Sequence, residues 1–577
     1  MKNILFPLVA ILLLVSVSSC KDETDEIKKG TLTTATYNHT TSSFTLTYSN
    51  GFTETVDAVI DSSVEPPTAS YTMANGTILS VKDATISGKA TIITPDDTDN
   101  YKYVNNWIYD EMSIYYLWND KLPKTPNYSL RPDNFFSSLL YTYDSVSNKG
   151  GDRFSWIQED YVDLLENLSG VSSDEIGFEY TLVPVSQGNN YYALVLYSMP
   201  GTDAAAKGIN RGQFVTKINE QDITAQNYRS LLGGTGTKQL SMADWVYNEE
   251  EDAYRLTNTG VETIQMHSKY AENPVYMDSI YPIEGGNVGY LVYNFFATDE
   301  GDDSYDYDKL LMQKLSNMQS RGVNEMVLDL RYNGGGAVSS AYALASALVK
   351  NRSTDNIIAI AQYNNVVHTS LSRQYGADYN KDYFIERIDT AKVDRNGKII
   401  EWIKITDIPT LNLPRLYVLT SGWTASASEL IINTLKPYME VVLIGETTYG
   451  KNVGSIPIYE KNDPKNKWGM QPIIVRYANS ESESDYTAGF SPNYEIDEFE
   501  SFFLYDWGDT NDPLLGKALS LITGVTTTST TRSAINFHSP FRSSSIDRVP
   551  SIRVQKTRHF DMYDDIRGDE IRRLIPK

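Results

Sequence analysis

The chain has 577 residues, 41% hydrophobic and 12% aromatic, with a formal net charge of −24 at pH 7. That length exceeds one ordinary domain, and the apolar share is ample for several cores. So large an acidic surplus repels phosphate backbones and argues against nucleic-acid binding, while a single cysteine rules out an intramolecular disulfide.

The chain opens on MKNILFPLVAILLLVSVSSC, with an early lysine, an apolar run from Ile4 to Val17, and small residues up to Cys20. The run matches a signal-peptide core in length and is short for a bilayer span. The VSSC context resembles the lipobox of bacterial lipoproteins. That resemblance implies a signal peptide over 1–20 and a lipid on Cys20, which tethers a protein without spanning the bilayer. The next residues, KDETDE, resemble the export signal of surface lipoproteins in Bacteroidetes-like bacteria. Together they imply a location in the cell envelope, lipid-anchored at the outer membrane and exposed at the surface.

From Gly30 to Ile93 the text is rich in threonine and serine. FTLTYSNGFTETV and SYTMANGTILSV alternate around Asn50-Gly51 and Asn75-Gly76, the strongest short hairpin signal. The spacing predicts a small β-domain over 21–95, Ig-like or sandwich-like, with TPDDTDN (Thr94 to Asn100) as linker. Val104, Trp107, Ile108, Met112 and Tyr115 then fall at helical spacing, predicting a helical segment over 101–170. Strands return over 171–270. EIGFEY and YYALVLYSMPGTDAAAKGINRGQFVTKINEQDI read as strand, short helix, glycine turn and strand, and this passage resembles a PDZ domain. By that likeness Ile176, Gly177 and Phe178 form the loop that takes a peptide's terminal carboxylate. The acidic, aromatic MADWVYNEEEDAY has no evident place in it. From Asn287 to Ile496 apolar β-rich runs (VGYLVYNFF, EMVLDLRYNGGG, RLYVLTS, VVLIGE) alternate with helical stretches, an α/β core assigned to 285–522. A Ser/Thr/Arg-rich tail closes the chain over 523–577; from Thr526 it holds ten Lys/Arg against six Asp/Glu, opposite in sign to the body, on which it could dock.

Three stretches carry chemistry. In LDLRYNGGG (Leu328 to Gly336) a strand runs into three glycines before a helix, so backbone N–H groups can face an anion. The Lys-Ser/Thr of a P-loop is absent, leaving an oxyanion hole or a plain tight turn. In TSGWTASASELI (Thr420 to Ile431) Ser426 stands before a helix with Glu429 three residues on. That is a capping box; the alternative turns the Ser426 hydroxyl to a base, with the Ala427 N–H facing a developing oxyanion. Ser428 lies about 200° further round the helix and cannot share that site. A nucleophilic serine needs a proton acceptor, and none of the five histidines (39, 267, 368, 538, 559) sits in a run like a catalytic loop. Lys451, in VVLIGETTYGKNVGS, comes after a buried-looking strand. An ordinary lysine, near pKa 10.4, works as a base only after a drop of about three units, which desolvation can supply.

Taken together, TASASE, then GETTYGK, and DLRYNGGG upstream of both resemble the C-terminal processing, or tail-specific, serine proteases over residues 101 to 522. The likeness implies a multidomain α/β and β protein with a crotonase-like core of ββα repeats. It also implies Ser426 as nucleophile, Lys451 as general base, Ala427 with Gly335 or Gly336 as oxyanion hole, and Glu429 in support. Substrates would be proteins or peptides, and no metal or cofactor is implied. Two features depart from the pattern: Ser455 stands where many relatives carry a lysine-orienting glutamine, and KNVGS replaces the commoner Lys-Gly. They leave open a catalytically weak or inactive peptide-binding surface lipoprotein. Other readings are an adhesion or glycan-binding protein built on the first β-domain, and a serine assisted by histidine.

Overall fold

The computed structural model of the chain describes residues 31–62, 66–144, 150–169, 171–186, 189–393, 399–500, 503–525, 536–538, 541, 548–554 and 563. Cys20, its leader and KDETDE lie outside the described residues. The chain forms two compact units, Met1–Ile108 with Thr125–Ser138, and Tyr109–Lys124 with Leu139–Lys577. No described helix is long and apolar enough to cross a membrane.

The first unit holds two four-stranded antiparallel sheets. Leu32–Asn38, Ser43–Tyr48 and Thr53–Asp57 pair in sequence, and Val59–Asp61, Thr68–Thr72 and Ile78–Val81 do the same. Asn50-Gly51 and Asn75-Gly76 turn two of these hairpins. Alternation sets the core: Phe44, Leu46 and Tyr48 point inward from one strand and pack with Ala69 and Leu79 of the other sheet. Of the expected linker Thr94–Asn100, all but Thr94 belongs instead to the start of a helix, Pro95–Tyr115. Proline suits a first helical position, where its fixed φ is already helical and no N–H is needed.

In the second unit, a β-rich module runs from residue 171. Its sheet is ordered Ala253–Gln265, Thr237–Asn248, Phe214–Ile218, Gln221–Thr224, Asn190–Ser198, Phe178–Pro184, with Asn536–His538 and Val549–Pro550 of the tail added at its two edges. The acidic, aromatic stretch without an evident place in the sequence forms the end of the long hairpin Thr237–Asn248/Ala253–Gln265.

The α/β core is a six-stranded sheet, Val275–Ile283, Gly286–Tyr293, Val323–Asp329, Arg415–Thr420, Glu440–Gly445 and Tyr494–Glu495 in that spatial order. It begins upstream of the expected residue 285, because Val275–Ile283 forms a hairpin with Gly286–Tyr293. The remaining pairings are parallel. The strands are near-continuous apolar runs, as a sheet covered on both faces requires: Val292, Val327, Leu419 and Ile444 are buried, with Leu514 and Leu515 of the helix Pro513–Thr523 against them. Three parallel strands end at Asp329, Thr420 and Gly445, and they lead into the glycine turn, the serine turn and the lysine loop respectively. Ligands of open α/β sheets gather at these carboxyl ends.

One ion cluster locks this end of the sheet. Arg331, 1% exposed, pairs with Asp329 (2.8 Å), Glu498 (2.5 Å) and Asp512 (2.9 Å), and Arg211 of the β-rich module shares Glu498. Burial alone would raise the Glu498 carboxyl, but the two guanidinium groups and the Tyr332 hydroxyl override it and hold it down at about 2.

Candidate active site

The stretch from Thr420 to Ser428, which joins the strand Arg415–Thr420 to the helix Ala427–Leu435, carries five hydroxyls. Four of them fasten the turn to neighbouring carbonyls: Thr420 to Glu446 (2.8 Å), Ser421 to Arg331, Thr424 to Leu330 (2.8 Å) and Ser428 to Asn333 (3.1 Å). The fifth, Ser426, is completely buried and its Oγ has no hydrogen-bond partner among the described residues. A buried hydroxyl without a partner costs free energy, and so does its left-handed backbone, at φ 65°. Both costs concentrate on one residue at a helix N-terminus.

Ser426 and Glu429 do stand in capping-box relation, but only one half is a hydrogen bond. The Ser426 N–H donates to Glu429 Oε2 at 2.9 Å, while the serine hydroxyl is left over. Glu429, fully buried, has a wider task. The same Oε2 accepts the Lys451 N–H at 2.8 Å; Oε1 accepts the Gly450 N–H at 2.8 Å and the Thr448 hydroxyl. One oxygen thus holds the backbone nitrogens of Ser426 and Lys451 within two hydrogen-bond lengths of each other. Burial raises the Glu429 carboxyl above its ordinary value, and these four donors pull it partly back.

Lys451 is also completely buried. Its Nζ lies 5.0 Å from the centre of the Phe154 ring. Phe154 is set by an Asx turn in which Asp152 accepts the N–H of Phe154 and Ser155, and Arg153 donates to the Gly450 carbonyl at 2.7 Å. The segment around 152–155 is therefore part of the wall around the lysine. Ser455 is buried too, and its hydroxyl accepts from the Gln471 amide at 3.2 Å. A glutamine thus does stand beside position 455, supplied by the strand Gly469–Gln471.

The glycine turn meets Ser426 directly. A Cβ on Gly335 would lie 2.6 Å from Ser426 Cβ and 3.0 Å from its Oγ, so only glycine fits. The expectation that Gly335 could donate to an oxyanion needs correcting: its N–H is already given to Asn333 Oδ1 at 2.8 Å. Asn333 also ties the two turns together, its carbonyl accepting the Ala425 N–H at 3.1 Å. Gly336 and Ala427 have no acceptor for their N–H groups among the described residues, which leaves that pair facing the site. Of the described histidines, His39 pairs with Ser87 and His368 with Tyr379, and none contacts Ser426. Among the described residues no group of His, Cys, Asp and Glu is arranged to hold a metal.

Ile176, Gly177 and Phe178 lie apart from this cluster, at the entry to the strand Phe178–Pro184. Ile176 and Phe178 are buried in the β-rich module's core, and the Gly177 carbonyl accepts the Met199 N–H at 2.9 Å. Ile176 and Phe178 line a cavity of about 270 Å³ that reaches Gly334, Gly335 and Gly336.

The sequence marks the serine, the lysine and the glycines. It does not mark the four-fold acceptance by Glu429, the Asn333 tie, Phe154 or Gln471. Asn before glycines is a usable Asx-turn signal for Asn333; Gln471 carries none.

Comparison with known proteins bears on the family of the chain. The family model described as peptidase family S41 matches residues 287–496, and that of the peptidase S41 N-terminal domain matches 103–156. A carboxyl-terminal-processing protease of Picosynechococcus sp. is 23% identical over 405 residues, 69% of this chain and 84% of that protein. A Staphylococcus aureus protein classed as a CtpA-like serine protease is 22% identical over 287 residues, 49% of this chain and 46% of its own length. A crystal structure of a Bacteroides fragilis protein classed as an S41 protease is 30% identical, covers 73% of this chain and 97% of its own, and superposes with a TM-score of 0.58. The chain therefore belongs to peptidase family S41 and is a serine peptidase of the carboxyl-terminal processing type.

Proposed function

We propose that Ser426 and Lys451 form the catalytic dyad of this peptidase. The neutral amine of Lys451 takes the Ser426 proton as Oγ attacks the scissile carbonyl carbon. The oxyanion is received by the N–H groups of Ala427 and Gly336. As the C–N bond breaks, the ammonium returns its proton to the leaving amine, and a water activated by the same amine then hydrolyses the acyl ester. The desolvation that comes with complete burial of Lys451 favours the uncharged amine, and Gln471, beside Ser455, takes over the orienting task. The observation that carries the reading is Ser426, whose hydroxyl alone in its turn has no partner among the described residues and whose backbone N–H shares Glu429 Oε2 with the backbone N–H of Lys451.

Peptide capture falls to the β-rich module, read as PDZ-like. An extended peptide adds to the edge strand Phe178–Pro184 beside the helix Tyr228–Leu232, with Ile176, Gly177 and Phe178 as the turn at the groove's end. A lipid on Cys20 would hold the enzyme at the envelope. The test is cleavage of an unfolded protein by wild type, Ser426→Ala and Lys451→Ala. Both variants lose turnover while staying folded; retained turnover in the serine variant moves the nucleophile elsewhere. Wild-type activity rises with pH as the amine deprotonates, and a flat profile between about pH 5 and 9 contradicts a lysine base.

A further inference from the structure

The tail, whose charge alone suggested docking, lies along the path a substrate would take. Val549–Pro550 pairs antiparallel with Phe178–Pro184, Val549 opposite Leu182 and Pro550 opposite Thr181. This is the β-augmentation of a peptide ligand. The direction also fits, because the tail runs toward Phe178 and the turn at Ile176–Phe178. Val549 and Ile552 pack on the core formed by Ile176, Phe178 and Leu232, and the Ile552 N–H donates to the Tyr180 hydroxyl at 3.2 Å. Arg553 then enters an acidic recess. Its guanidinium is bonded to Glu272, 1% exposed, beside the buried Glu175 and Glu179. Burial pushes the Glu179 carboxyl up to about 7, with Arg553 pulling the other way.

The same tail reappears in the catalytic cleft. The backbone of Tyr563 forms parallel bridges with Ala337 on one side and Ser455 on the other. Its N–H donates to the Gly336 carbonyl and its carbonyl accepts the Val338 N–H, both at 3.3 Å. One residue of the tail thus fills the gap between the glycine turn and the strand just beyond Lys451, with strand hydrogen bonds like those a bound peptide would make. The cavity lined by Ser551, Ile552, Arg553 and Val554 is the one that also reaches Gly335 and Gly336.

We propose that Val549–Arg553 and Tyr563 are the resident peptide of this enzyme's own substrate groove, that substrates compete with them, and that Glu175, Glu179 and Glu272 select peptides with an arginine or lysine at the place of Arg553. The proposal rests on the dyad and groove reading given above. It makes the acidic recess a specificity site for cationic, strand-forming peptides, with an intramolecular competitor built in.

The experiment compares the full chain with a chain ending at Asp547, on a quenched fluorogenic peptide containing Val-Pro-Ser-Ile-Arg. A groove filled nine-tenths of the time leaves about a tenth of the enzyme competent, so kcat/KM rises about tenfold on truncation. A synthetic peptide spanning 546–565, added to the truncated enzyme, inhibits competitively, and the same peptide with Arg553→Glu inhibits at least about tenfold less well. Should the truncated chain not fold, Arg553→Glu in the full chain carries the test, since it places a carboxylate against three others and expels the segment. Equal kcat/KM in a folded truncated chain and in Arg553→Glu, with no inhibition by the peptide, overturns the proposal and leaves the dyad intact. If no form cleaves in a Ser426-dependent way, the dyad reading fails. Fluorescence anisotropy of the labelled peptide on the truncated Ser426→Ala chain then still decides the tail: saturable, Arg553-dependent binding supports it and no binding overturns it.

Discussion

Gly335→Ala isolates the contact between glycine turn and serine. The added Cβ would stand 2.6 Å from Ser426 Cβ, 2.9 Å from the Ala427 nitrogen and 3.0 Å from Ser426 Oγ. Carbon atoms rest at about 3.5–4.0 Å, so relief takes a shift of about 1 Å. Neither side gives easily: Ser426 is held by Glu429, and the Gly335 carbonyl accepts the Phe296 N–H at 2.7 Å. A φ of 116° adds strain of about 1–3 kcal/mol for a residue with a side chain. Displacing a reacting atom by about 1 Å costs about 10²-fold in rate, and disturbing the neighbouring Ala427 N–H brings the total to about 10²–10³. Steady-state cleavage should show kcat reduced by that factor, KM changed little, and a melting temperature lowered by a few degrees. Wild-type kcat in a folded Gly335→Ala protein would refute the placement of this turn against the proposed nucleophile. Gly336→Ala is the contrasting case. Its Cβ would lie 2.0 Å from the Phe296 carbonyl oxygen, backbone against backbone, so that variant should fail in soluble yield rather than in kcat.

Glu429→Gln puts an NH₂ group opposite N–H or O–H donors, each such loss costing about 1–3 kcal/mol; kcat should fall about 10²-fold or more and the melting temperature should drop, and unchanged kinetics would remove Glu429 from the positioning role. Gln471→Ala should lower kcat about tenfold at constant KM, whereas no change would make Gln471 a mere space-filler beside Ser455. Glu498 contributes stability through a depressed carboxyl, so its contribution is complete above the ordinary 4.5 and is lost as pH falls toward about 2. Thermal melts from pH 6 to 2 should therefore fall more steeply for wild type than for Glu498→Gln, which starts lower; parallel curves would contradict the cluster's role.

What the sequence disclosed tracks chain neighbourhood. Alternation around Asn-Gly marked two hairpins, and apolar runs ending in Asp329, Thr420 and Gly445 marked strands whose ends carry the glycines, Ser426 and Lys451. Ser426 itself was undecidable there: Ser-x-x-Glu reads equally as a cap. The choice depends on carbonyls of Leu330, Arg331 and Asn333, about ninety residues away, which engage the other hydroxyls and leave this one. Ser455 stands where many relatives carry a glutamine four residues after the lysine, and the Gln471 that bonds to it comes from Gly469–Gln471, a neighbour in space alone. The run Met242–Tyr254 had no evident place because four consecutive acids interrupt it, yet these close a hairpin whose strands bury Trp245 and Ala253. The tail's composition gave its charge; its place beside Phe178–Pro184 and the glycine turn comes from pairings with Thr181 and Ala337 that no local pattern encodes.

The proposed catalysis depends on a deprotonated Lys451 activating Ser426, and covalent labelling reads this directly. A fluorophosphonate probe, with peptide mass spectrometry as the readout, should place one adduct on Ser426. The labelling should be abolished in Ser426→Ala and slowed about 10²-fold or more in Lys451→Ala. An adduct on another residue, or an equal rate without the lysine, would contradict it.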